Sequence, residues 1–279
     1  MWTPVRFTAG KTRGIRRRVN DRYRGVMSVL NLSFAACGFM GVYHLGAVGA
    51  FLRRCPRTGS SPGVCPAACA GASAGALVAA VVITAPEKLQ ECTDFTYAFA
   101  HRVRSQPLGA ITPGFDFMRE LRDGVDHILP CDAHLRADGR LYVSLTHSRT
   151  GQNQIISNYS SREELMQALL ASSFVPVYAG LKPVEFRGER WVDGGFTDSL
   201  PILPFGRTVT VSPFSGPQNV CPVHRGRSTR HLQLANMKVT FSVENMKRLN
   251  SALFPPTAAQ MRIFEEEGFT DAQRYMRTM

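Results

Sequence analysis

Apolar and polar positions along this chain switch repeatedly between a strand-like and a helix-like period. Residues 29–36 (VLNLSFAA) form an apolar run with β-branched and aromatic members, stopped by a glycine-containing turn over 37–41, after which a helix fits 42–53. Pro, Gly and Ser crowd 55–66, which reads as a surface loop. A short strand ending near Ala72 leads into a helix through Val82, and helical spacing returns over 87–104 (Leu89, Cys92, Phe95, Phe99, Val103) and 115–129. Residues 141–146 and 154–158 read as strands joined around Thr150-Gly151. Ser161 followed by Glu164 has capping-box spacing and opens a helix ending near Ser173. Residues 184–191 fit a hairpin turning at Gly188, 207–211 a further strand, and 232–254 and 261–276 two amphipathic helices. Strands and helices alternate over most of the length, which predicts an α/β fold with a largely parallel central sheet and no internal linker that would divide residues 27–279.

Composition narrows the class. With 279 residues, 44% of them hydrophobic and 19% charged, the chain can bury a large core, which excludes wholesale disorder and a disulfide-stapled mini-scaffold. Its formal charge of +12 is unevenly placed: residues 1–26 hold eight basic side chains against the single acid Asp21. The expectation is a basic, disordered N-terminal extension over 1–26 and a nearly balanced domain over 27–279, with Met27 as an alternative start of the ordered chain. A nucleic-acid face would spread its cations through the body of the fold, so no nucleic-acid partner is expected. The Arg-rich, acid-poor arm partly suits a mitochondrial presequence, although it lacks serines and a clear apolar helical face. Seven cysteines, with a lone Cys65/Cys69 pair and no second pair or nearby histidine, fit free thiols in a reducing compartment better than a metal site. Residues 67–85 carry no charge, but their Ala/Gly richness and a serine between glycines fit a buried strand, turn and helix rather than a membrane span.

That serine is the first candidate for chemistry. Gly71-Ala72-Ser73-Ala74-Gly75 is a GxSxG at a strand-to-helix junction. Small flanking residues permit the sharp turn that lifts a hydroxyl off the sheet edge, the helix dipole points at its oxygen, and the Ala74 amide becomes a candidate oxyanion donor. A second glycine turn, Ala36-Cys37-Gly38-Phe39-Met40-Gly41, also joins a strand to a helix and offers free amides. A dinucleotide fingerprint is the rival meaning, but residues 22–86 contain no acid to hold a ribose hydroxyl. The third element, Asp193-Gly194-Gly195, places an aspartate at a strand end beside two glycines that allow close approach to a nucleophile. His224 and His231 follow in the order of a Ser, Asp, His triad, yet both lie in a basic, polar stretch that reads as a surface loop; His44 sits in the helix after the first glycine turn and reads as structural.

These motifs, in this order, resemble the patatin-like phospholipases. The similarity spans about residues 31–254 and includes Cys37-Gly38-Phe39-Met40-Gly41-Val42-Tyr43-His44-Leu45-Gly46, the Gly71 to Gly75 elbow, Ala171-Ser172-Ser173-Phe174-Val175-Pro176, Asp193-Gly194-Gly195 and Leu200-Pro201-Ile202. The resemblance implies a three-layer α/β/α fold and a Ser73/Asp193 dyad without histidine. It also implies an oxyanion hole drawn from Cys37, Gly38, Phe39, Gly41 and Ala74, elbow glycines Gly71 and Gly75, dyad-loop glycines Gly194 and Gly195, and neither metal nor cofactor. The implied substrates are long-chain acyl esters such as triacylglycerol, retinyl ester and phospholipid, hydrolysed or transacylated by an intracellular, cytoplasmic protein at a membrane or lipid-droplet surface. Met237, Phe241, Leu249 and Leu253 with Lys238, Lys247 and Arg248 are the expected amphipathic face for that surface. Two features depart from the family pattern: Ala36 stands where a glycine is usual, and the 55–66 loop is long. A catalytically silent lipid-surface or partner-binding protein of the same fold is the alternative.

Overall fold

The central strand β1 (Leu30–Phe34) has every residue but the first buried, because it is covered on both faces and paired on both edges. It runs parallel to β2 (Ala68–Gly71) on one side and β7 (Arg207–Val211) on the other, and β2 runs parallel to β3 (Leu141–His147). Beyond β3 the sheet turns antiparallel through β4 (Asn153–Ile156), β6 (Glu189–Asp193) and β5 (Val184–Phe186), giving seven strands in the order β5-β6-β3-β2-β1-β7 with β4 also on β3. The computed structural model describes residues 30–53, 66–224, 226 and 230–279. The basic arm and nearly all of the 55–66 loop therefore lie outside the described residues.

Helices α1 (Gly41–Arg53), α2 (Ala74–Thr84), α3 (Leu89–Arg104), α4 (Phe117–Ile128) and α6 (Arg162–Ser172) follow the expected boundaries closely, and a short α5 (Ala133–Ala137) lies between the last two where none was expected. Residues 67–85 divide into β2 and α2, and the apolar character of α2 reflects burial on nearly every side. Ser161 caps α6 by accepting from the Glu164 amide at 3.1 Å, but the Glu164 carboxylate reaches Ser160 instead of completing a capping box.

The expected helix over 232–254 is corrected. Its first part is a hairpin of β8 (His231–Leu234) and β9 (Met237–Thr240), and only Val243–Leu253 is helical, as α7. Ala235 and Asn236 both have positive φ, 41° and 71°, the backbone of a tight two-residue hairpin turn. The final helix α8 (Ala258–Met276) starts three residues earlier than expected, on a full capping box between Thr257 and Gln260. It packs along α1 at backbone contact distance, with Gly46 facing Glu265 and Gly268 facing Tyr43. Among the described residues no helix is long and apolar enough to cross a membrane.

Candidate active site

The sheet register brings the three sequence motifs together. Phe34 of β1 pairs with Gly71 of β2, so the turns that follow both strands leave the sheet at one edge. Gly71 also pairs with Val143; two residues further along β3, Leu145 pairs with Asp193. Ser73, two residues past Gly71, is thus carried to the level of Asp193.

Ser73 has φ 53° and ψ −132°, a sparsely populated backbone for a non-glycine residue, and it precedes α2 as its N-cap. The neighbouring glycines make this turn feasible: a Cβ on Gly75 would sit 2.2 Å from the Phe34 carbonyl oxygen, and one on Gly71 would sit 2.5 Å from the Gly75 backbone. The Ser73 amide donates to Ser172 Oγ at 2.9 Å, and that hydroxyl donates to the Ser144 carbonyl at 2.8 Å. Ser172 therefore ties the elbow to β3. The sequence marked it only as part of a shared motif, and its role depends on a contact ninety-nine positions away.

Asp193 is 5% exposed, accepts a hydrogen bond from the Gly195 amide at 2.7 Å, and lies next to the Ser73 hydroxyl, whose donor capacity also favours the carboxylate. Burial pushes its carboxyl up to about 6 from an ordinary 3.8, against the lowering effect of those two donors. The aspartate is held by its backbone: its amide donates to the Phe174 carbonyl at 2.8 Å, and its carbonyl accepts from Thr146 Oγ1 at 2.8 Å. Asn153 extends this support, donating to Ser144 Oγ and Thr197 Oγ1 at 2.8 and 2.9 Å. Gly194 is required because a Cβ would lie 2.0 Å from the Ser144 carbonyl oxygen.

The turn after β1 supplies the third part. Gly38 takes φ +50° with its α-carbon close against α7, where a Cβ would meet the Ala252 oxygen at 2.2 Å. Ala36 does not have a positive φ, so it fits a position where the family pattern has glycine. Among the described residues no hydrogen bond engages the amides of Gly38, Phe39 or Ala74, and all three residues line the same cavity as Ser73 and Asp193. Cys37 and Gly41 line it too; burial, with the Asp193 charge second, raises the Cys37 thiol far enough that it stays protonated. His44 is fully buried, pushed down to about 4 by burial, and its Nε2 donates to the Ala35 carbonyl at 2.9 Å, fixing the start of the turn. His224 and His231 line a separate cavity with Cys221 and Arg274, away from Ser73.

The dyad cavity has a volume of about 370 Å³ and is lined mainly by apolar side chains of α2, α3, α4 and α6. Leu77, Val78 and Val81 continue down α2 from Ser73, while Phe117, Leu121, Val125 and Ile128 line it along α4. Such a site can accept an acyl chain in the cavity, attack its carbonyl with a hydroxyl paired to a carboxylate, and hold the resulting oxyanion on backbone amides.

The site thus belongs to an α/β protein with a mixed, mostly parallel sheet, a serine on a positive-φ elbow after one strand and a buried aspartate at the end of another. The patatin-like phospholipase family pattern matches residues 32–205, and the chain belongs to that family. It is 51% identical over 258 residues to human patatin-like phospholipase domain-containing protein 4, covering 90% of this chain and 97% of the relative. It is 35% identical over 254 residues to mouse 1-acylglycerol-3-phosphate O-acyltransferase Pnpla3, covering 88% of this chain but only 58% of that longer protein. The crystal structure of VipD from Legionella pneumophila superposes with a TM-score of 0.52 at 12% identity, over 91% of this chain and 67% of VipD, a likeness of fold.

Proposed function

We propose that this protein is a serine lipid acyl hydrolase that uses a Ser73/Asp193 dyad on long-chain acyl esters: triacylglycerol and other acylglycerols, retinyl esters or phospholipid acyl chains. The observation that carries the reading is Ser73, on its positive-φ elbow, next to the buried Asp193 carboxyl in one apolar cavity. Ser73 Oγ attacks the ester carbonyl carbon as its proton passes to Asp193. The Gly38, Phe39 and Ala74 amides stabilise the tetrahedral oxyanion, helped by the N-terminal dipole of α2. Collapse breaks the ester C–O bond, Asp193 returns the proton to the departing alcohol, and an acyl-Ser73 intermediate remains. Asp193 then takes a proton from water or an acceptor alcohol as that molecule's oxygen attacks the acyl carbonyl; the Ser73 Oγ–acyl bond breaks and Asp193 hands the proton back to Ser73, releasing the acid or the transferred ester. The acyltransferase name of the mouse relative supports including transfer.

Burial suits Asp193 to this work, because a carboxylate near pH 6 is a stronger base than an exposed one and is still ionised at neutral pH. The lipid substrate brings the protein to a membrane or lipid-droplet surface. Labelling with a fluorophosphonate probe, followed by a panel of these lipids, tests the proposal. Wild type is expected to label and Ser73→Ala is not; an unlabelled wild type would favour a silent lipid-surface protein of the same fold.

A further inference from the structure

Helix α7 docks partly through polar side chains: Asn245 is buried, donating to the Ser215 and Thr240 carbonyls at 2.9 and 2.7 Å, and Arg248 reaches Glu267 at 2.7 Å and the Pro213 carbonyl at 3.1 Å, while Glu244, Lys247 and Asn250 are exposed. Val243, Met246, Leu249 and Leu253, spaced three or four residues apart along one flank, are 67%, 56%, 38% and 44% exposed. Leu249 and Leu253 also line the dyad cavity, as do the exposed Leu234 of the β8–β9 hairpin and Phe196 beside the Asp193 loop. The apolar flank is therefore continuous with the cavity mouth.

We infer that this flank of α7, with Leu234 and Phe196 across the opening, is the surface that inserts into a phospholipid layer and lets substrate pass from lipid to Ser73 without crossing water. The inference rests on the lipid ester reading above. A protein seated on these residues would stopper the cavity, whereas a lipid layer would supply it. Lys238 of the β8–β9 hairpin and Lys247 of α7, both exposed, favour an anionic layer. The face expected from sequence is thereby redrawn: Leu249 and Leu253 belong to it, Met237 is buried in the hairpin and Arg248 points inward.

The test is flotation of the protein with phosphatidylcholine vesicles containing about one-third phosphatidylserine, alongside hydrolysis of a short, water-soluble ester. Val243 and Met246 lie outside the cavity lining and are mostly exposed, so V243E/M246E should fold normally. It is expected to lose about tenfold or more in vesicle binding while keeping soluble-ester hydrolysis close to wild type. L135E, at an exposed leucine of α5 that does not line the cavity, should bind like wild type. Vesicle binding retained in V243E/M246E, lost equally in L135E, or absent from wild type overturns the inference, as does joint loss of soluble-ester hydrolysis in V243E/M246E. Failure of the hydrolase reading would appear separately, as wild type that binds vesicles but cleaves no ester.

Discussion

Asp193 is asked to be buried and to be charged, and the two demands oppose each other. Its carboxyl rises to about 6 in the folded chain from an ordinary 3.8, so folding favours the protonated form. The resulting stability is fully present below about pH 4 and lost as pH rises through about 6, a difference of roughly 3 kcal/mol. Asp193→Asn keeps an acceptor for the Gly195 amide without the charge. At pH 8 it is expected to be more stable than wild type by about 2–3 kcal/mol in urea unfolding, yet about a thousandfold slower in ester hydrolysis. The wild-type rate should fall on the acid side with a midpoint near 6, measured as kcat/KM across pH. Exchanging both His224 and His231 for Ala should leave the rate within about twofold, since their cavity is separate from the dyad; loss of hydrolysis there with activity retained in Asp193→Asn would restore a histidine triad. Ser73, Asp193 and their glycines were legible because strained turns demand particular residue types at fixed spacing. Ser172, Ser144 and Asn153 were not, because an ordinary polar side chain takes on a role only through distant partners that the register brings together.

At the scale of elements, the long helices and buried strands were readable from periodicity, and the β8–β9 hairpin was not. Leu232, Leu234, Met237 and Val239 do alternate, but Met237 and Phe241 also sit one helical turn apart, and the turn between the strands lacks glycine. Asn236 was the available signal, since asparagine tolerates the left-handed backbone it adopts there. The α1–α8 contact was equally hidden. Gly46 looked like an ordinary motif glycine, but a Cβ there would lie 2.0 Å from the Glu265 carbonyl oxygen; one on Gly268 would lie 2.0 Å from that of Tyr43. Both obstacles are backbone and cannot swing aside. Tyr43 OH donates to Asp271 at 2.7 Å across the same interface, and Arg274 pairs with that aspartate at 2.7 Å, so the two helices cannot separate without stranding buried polar groups. Gly46→Ala and Gly268→Ala are each expected to cost about 2–4 kcal/mol in denaturant unfolding. A loss below about 0.5 kcal/mol in both would mean that α8 is not held this closely.

For the whole molecule, the sheet delivers the dyad to one end of a cavity whose length is set by helices. Phe39 of the glycine turn stacks edge-on to Phe117 at 6.4 Å, which puts the start of α4 beside the reacting centre. Ile128 lies eleven residues further along the same helix, about 16 Å away at helical rise. The cavity follows that helix, and no polar side chain of α4 lines it, so an acyl chain can extend along it while its carbonyl stays at Ser73. The position of each lining residue along the helix then sets which chain lengths feel it. Val125 is buried, lines the cavity and lies two turns beyond Phe117. Phenylalanine there would block the deep part and leave the mouth and dyad untouched. With a series of monomeric esters, Val125→Phe should leave kcat/KM for a butyryl ester within about twofold and lower it about tenfold or more for a palmitoyl ester. An equal loss on both esters would mean that the variant had disturbed the fold, and unchanged palmitoyl activity would mean that the acyl chain does not run along α4. Because the comparison is a ratio within one variant, any overpacking cost common to both substrates cancels, and the chain-length profile reports the path of the acyl chain itself.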